Sequence, residues 1–172
     1  NDGTTPLLLD SLSSAFITGI GADGPRWYEN RFILHYTHSV WQGEGQWRRA
    51  TAEELGLYPT YNHGHQTAFR LYSQGSWTTS RHYPLIFIED TETEETHYFE
   101  ILTGSNWYIE VSAKGYMENS SLSVLLTAAF EKNGGWYKEL GVGESYTAAP
   151  AVYGCVKGGF EAAVAELTAK ED

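Results

Sequence analysis

Residues 84–112 read PLIFIEDTETEETHYFEILTGSNWYIEVS. Leu85, Ile86, Phe87 and Ile88 make a short apolar run after Pro84, suited to a buried strand. Glu89 and Asp90 end that run and open an acidic series up to Thr96, which by composition is a solvated hairpin connection. A second strand follows over 97–102. Thr103, Gly104, Ser105 and Asn106 form a strong hairpin signal, and residues 107–112 make a third strand. Short strands joined by short turns reverse direction at each turn, so the sheet they build is antiparallel.

The same pattern extends outward in both directions. Residues 7–20 are apolar and β-branched with Ser and Gly interruptions. Residues 31–39 alternate Phe32, Leu34 and Tyr36 against Arg31, Ile33 and His35, and residues 67–74 alternate Phe69 and Leu71 against Arg70 and Tyr72. Residues 122–130 and 146–156 are further extended runs, separated by breaks at Asn133, Gly134 and Gly135 and again at Gly141 and Gly143. Residues 41–65 are the longest stretch without a period, and a loop of that length in a compact domain is usually functional or held by outside contacts. The end of the chain changes period: Phe160, Ala163, Val164 and Leu167 share one helical face, with Glu161 in the first turn and Lys170 near the end, as the helix dipole prefers. The expected fold is an all-β antiparallel sandwich or barrel over 1–157, closed by one short amphipathic helix over 158–170.

Composition narrows the function. The 172 residues carry a formal net charge of −11, which argues against nucleic acid and against anionic membrane surfaces. A neutral ligand such as a sugar needs no charge attraction. Aromatic residues are 15% of the chain, and Trp and Tyr suit both sheet faces and sugar-binding surfaces. Cys155 is the one cysteine, so no internal disulfide forms, and its apolar surroundings read as a small buried hydrophobe. No apolar stretch approaches the ~20 residues of a membrane span. The chain opens on a turn, without Met, and reads as a piece excised from something longer; the expected location is the cytoplasm.

Candidate chemistry concentrates in one place. Residues 41–47 read WQGEGQW. Trp41 and Trp47, with Glu44 and two glycines between them, could form a platform in which a pyranose stacks its C–H face on an aromatic ring while carboxylate and amide groups bind its hydroxyls. Equally, the two Trp could pin a long loop to the sandwich with Glu44 facing solvent. The 55–59 stretch reads as a short turn packed under that loop. His63 and His65 resemble the cupin metal pair, but that pattern needs a Glu four residues on, where Phe69 stands; they read as exposed loop histidines, and no metal site is expected. His35 and His38 point to opposite faces of their strand and cannot share a metal. Glu44, Glu53, Glu54, Glu89, Asp90, Glu100 and Glu110 offer no spacing that selects the carboxylate pair a glycosidase needs. No phosphate loop and no nucleophile elbow is present.

Taken in order, the segments NDGTTPLLL (1–9), WQGEGQW (41–47), ELGLYP (54–59), GSWTTS (75–80), YPL (83–85), Asn106-Trp107 and VYGCVKGGF (152–160) resemble the N-terminal β-supersandwich domain of melibiase-like α-galactosidases, over nearly the whole chain. The resemblance implies a galactose-mutarotase-like supersandwich, of which this is the later part. A catalytic (β/α)8 barrel carrying the nucleophile and acid/base aspartates would follow, and this chain contains none of it. The helix at 158–170 would lead towards that barrel. The resemblance therefore implies a non-catalytic accessory domain of a retaining glycoside hydrolase, with no catalytic residue, cofactor or metal of its own. α-Galactosides are the implied substrates of the parent enzyme. Assembly into a homo-oligomer through open strand edges is expected. In tetrameric relatives a sandwich loop reaches a neighbouring subunit's sugar pocket; residues 41–47 match it by position, although relatives carry an Asp near the Trp where this chain has Glu44. Two other readings stand beside this one: a free-standing carbohydrate-binding module, and an aldose-epimerase-like enzyme, whose catalytic His and Glu are not evident here.

Overall fold

The computed structural model describes residues 1–22, 30–57, 67–75, 77–114, 121–130 and 135–171. Two antiparallel sheets pack face to face. The first has five strands, in the order β11 (Ala151–Lys157), β7 (Glu95–Ile101), β6 (Leu85–Asp90), β3 (Phe32–Val40) and β4 (Gly43–Thr51). The second has four, in the order β2 (Ser11–Ile20), β9 (Ser121–Phe130), β8 (Trp107–Lys114) and β5 (Thr67–Ser73). A small pair, β1 (Leu7–Leu9) with β10 (Lys138–Leu140), ties the start of the chain to the stretch before β11. Helix α1 (Phe160–Glu171) closes the described chain. The fold is an all-β sandwich with one short C-terminal helix, as the periodicity predicts.

The alternation of each strand divides its side chains between two environments. Phe32, Leu34, Ile86, Ile88, Phe99 and Ile101 point from the five-stranded sheet into the sandwich, where they meet Leu71, Trp107, Ile109, Val111, Leu122, Val124 and Leu126. The opposite face of the five-stranded sheet is covered by α1: Phe87, Tyr98 and Ala163 are buried together, with Leu85, Val152, Val156, Phe160, Val164 and Leu167 against them. This explains why residues 85–88 are apolar without interruption. A strand covered on both sides has no solvent face on which to place polar residues. Tyr98 lies directly across the ladder from Gly154, and a Cβ at Gly154 would stand 2.1 Å from the ring. Gly154 is therefore the recess that the Tyr98 ring fills.

Four expectations need correction. Residues 43–51 are a strand, not part of a loop: β4 pairs with β3 from Ile33↔Thr51 to Val40↔Gly43. Glu89 and Asp90 belong to β6 rather than to a solvated turn. Asp90 is buried and takes a two-pronged pair of hydrogen bonds from Arg31, Nε to Oδ1 at 2.8 Å and Nη2 to Oδ2 at 2.6 Å. Cys155 is exposed, not buried, with its Sγ 4.0 Å from His97 Nε2. Only residues 151–157 of the extended run before the helix pair in a sheet. Leu57 is fully buried in the core, while Tyr58, Pro59, His63 and His65 lie outside the described residues.

Candidate functional site

The site grows from the β3–β4 hairpin. Val40 pairs with Gly43, so the chain reverses through Trp41 and Gln42, and Gln42 takes the left-handed conformation (φ 61°) that such a tight reversal calls for. Glu44 Oε1 accepts the backbone N–H of Gln42 at 3.1 Å and fixes the turn. Trp41 is thereby held at the tip, 69% exposed.

A second segment reaches the same place. After β5 the chain returns across the end of the sandwich, and several polar contacts hold it. Buried Ser73 donates its hydroxyl to the carbonyl of Trp77 at 2.8 Å, and the Trp107 indole donates to the carbonyl of Thr78 at 2.6 Å. Ser39 N–H donates to the carbonyl of Arg81 at 2.8 Å. The His82 ring, 2.6 Å from the Thr37 carbonyl through Nδ1, backs the segment; burial, the largest influence, holds its pKa below the ordinary value. The result puts Trp77, 52% exposed, against Trp41 with ring centroids 5.0 Å apart and planes at 24°.

Ser39, Val40, Trp41, Glu44, Trp77 and Thr79 line a shallow depression of about 180 Å³. Its chemistry is mixed. Two indole faces supply the apolar surface, and Glu44 supplies an acceptor. Ser39 Oγ is buried and has no hydrogen-bond partner among the described residues, which is uncommon for a hydroxyl. Glu44 is the only carboxylate lining the depression among the described residues.

Trp47 is elsewhere. It pairs with Thr37, on the face of the five-stranded sheet that α1 covers. Its ring lies 5.0 Å from Phe160 and 5.8 Å from Phe87. Trp41 and Glu44 come together, and Trp47 instead joins the aromatic layer that seats the helix. Trp77 and Thr79 were not legible beside Trp41, because they reach it through long-range chain return rather than through sequence spacing.

His35 and Arg70 have partners of their own. His35 Nε2 lies 2.8 Å from Glu89 Oε2, and its ring stacks on Phe160 at 4.4 Å, while burial holds its pKa below the ordinary value despite the Glu89 carboxylate. Arg70 and Tyr108 both donate to Glu110 Oε2. The Cys155 thiol is pushed up, first by partial burial and then by the Glu95 charge, which is the opposite of an activated nucleophile. No group of three metal-ligating side chains occurs among the described residues, and no helix among them is long and apolar enough to cross a membrane.

No protein-family pattern matches the sequence, and no curated protein matches it. Among solved structures, the chain is similar to one described as the α-galactosidase from Lactobacillus brevis. The TM-score is 0.66 at 13% identity, covering 92% of this chain and 18% of that one. The likeness is one of fold: this sandwich corresponds to a small part of a much longer α-galactosidase chain.

Proposed function

We propose that this sandwich is an accessory domain of an α-galactosidase-type glycoside hydrolase and that its Trp41–Trp77 face contacts the sugar. The observation that carries the reading is the stacked pair of half-exposed to exposed indoles beside Glu44. A galactose ring presents one apolar face to an indole and a rim of hydroxyls to acceptors and donors, which is the set of groups collected here. Similarity of fold to a small part of an α-galactosidase supports the choice of sugar. Assembly belongs to the same proposal: β11 pairs with β7 along its whole length and lies at the end of its sheet, where a further strand can add.

The test is a titration of the chain with galactose and with a galactose-terminated trisaccharide. Binding in the millimolar range, ~4 kcal/mol, is expected. Trp41→Ala and Trp77→Ala should each weaken it about tenfold or more. Unchanged affinity in both variants would sink the reading. Micromolar binding by the chain alone would instead favour a free-standing carbohydrate-binding module.

A further inference from the structure

The Trp41–Trp77 depression is small for a whole ligand. At about 180 Å³ it falls below the ~300 Å³ at which ligand clefts usually begin. A second cleft of about 380 Å³ lies at the same end of the sandwich, where β5, the β7–β8 turn and the chain beyond β9 meet. Gly75, Gly104, Ser105, Asn106, Gly135 and Trp136 line it, and none of its lining residues among those described is charged.

Three features suit this cleft to a sugar. Trp136 provides an aromatic wall, braced by Tyr146 at 5.3 Å between ring centroids. Asn106 accepts the Gly75 N–H through Oδ1 at 2.9 Å, which fixes the orientation of its amide and leaves the donor end, Nδ2, for a ligand oxygen. The glycines leave the backbone bare. At Gly104 neither a left-handed φ nor a neighbour within 4 Å requires the missing side chain.

One short stretch of chain contributes to both depressions. Gly75 lines one, while Trp77 and Thr79 line the other. From Gly75 to Thr79 the chain spans no more than about 14 Å even when fully extended. We infer that the Trp136 cleft is a second subsite for the same neutral saccharide, so that the sandwich end binds an oligosaccharide with one ring on Trp41–Trp77 and a following ring against Trp136. This rests on the reading of the Trp41–Trp77 face as a sugar platform.

The experiment compares galactose with raffinose, a galactose-terminated trisaccharide, in calorimetric titrations of the chain and of two variants. The trisaccharide should bind about tenfold more tightly than galactose. Gly104→Leu, which adds a side chain where there is room, and Trp136→Ala should each abolish that gain and leave galactose affinity unchanged. Equal affinity for the two sugars, or a gain that survives Gly104→Leu in a folded variant, overturns the second subsite while leaving the platform in place. If neither sugar binds, both readings fall.

Discussion

Asp90 illustrates what a single residue can carry that its neighbours in sequence disguise. It opens a run of acidic residues, yet its own carboxylate is buried and accepts two hydrogen bonds from Arg31 and further ones from the backbone N–H groups of Glu92 and Thr93. Burial alone would push its pKa up; the hydrogen bonds from Arg31 and the backbone, with the Arg31 charge, override it and hold the group below the ordinary carboxylate value. The stabilisation is thus complete above the unfolded pKa near 3.9 and is lost as pH falls through the lower folded value. Asp90→Ala removes the paired acceptor from a buried guanidinium and should cost about 3–5 kcal/mol in denaturant unfolding at neutral pH. A loss under about 1 kcal/mol would show the pair to be incidental. At this scale the sequence shows that Trp41 and Glu44 stand close together, because they share one turn, and hides the pairing of Asp90, whose partner stands far away in the chain.

At the scale of elements, β4 was hidden for a physical reason. It is an edge strand, and Gln46, Arg48 and Arg49 occupy it where a central strand would carry apolar residues. Without alternation the stretch resembles a loop, although its pairing with β3 is regular until the final bulge. The strand matters because it sends Trp47 to the helix side of the sheet, away from Trp41. Helix α1 was legible from its apolar face, and the packing of Phe160, Ala163, Val164 and Leu167 follows that face. What the sequence concealed was the recess beneath the helix. Gly154→Ala would place a methyl group against the Tyr98 ring, so the ring and the helix above it must shift. The expected cost is about 1–3 kcal/mol, with faster amide exchange in α1 than in β8 and β9. Exchange unchanged in α1 would mean that Tyr98 does not support the helix.

Across the whole molecule, the turn signals in residues 84–112 and the alternation of the strands made an antiparallel sandwich legible. The strand order was not, because β3 comes to lie between β4 and β6 through surfaces that meet only after folding. The molecule as a whole also has a pH response. His35, His82 and His97 all have folded pKa values below the ordinary 6.5, with burial the leading cause in each. The unfolded chain therefore takes up protons before the folded one as pH falls. Stability is complete above about pH 6.5 and declines below it. Thermal melts should give a lower Tm near pH 5.5 than near pH 7.5; equal values would contradict the burial of these rings.

The most direct test of the sugar platform follows the indole N–H signals of the chain's six Trp by NMR during a galactoside titration. The signals of Trp41 and Trp77 should move together with one dissociation constant, while those of Trp47 beside Phe160 and Trp107 in the core stay in place. Movement of Trp47 without Trp41, or no movement at all up to saturating sugar, would contradict the account.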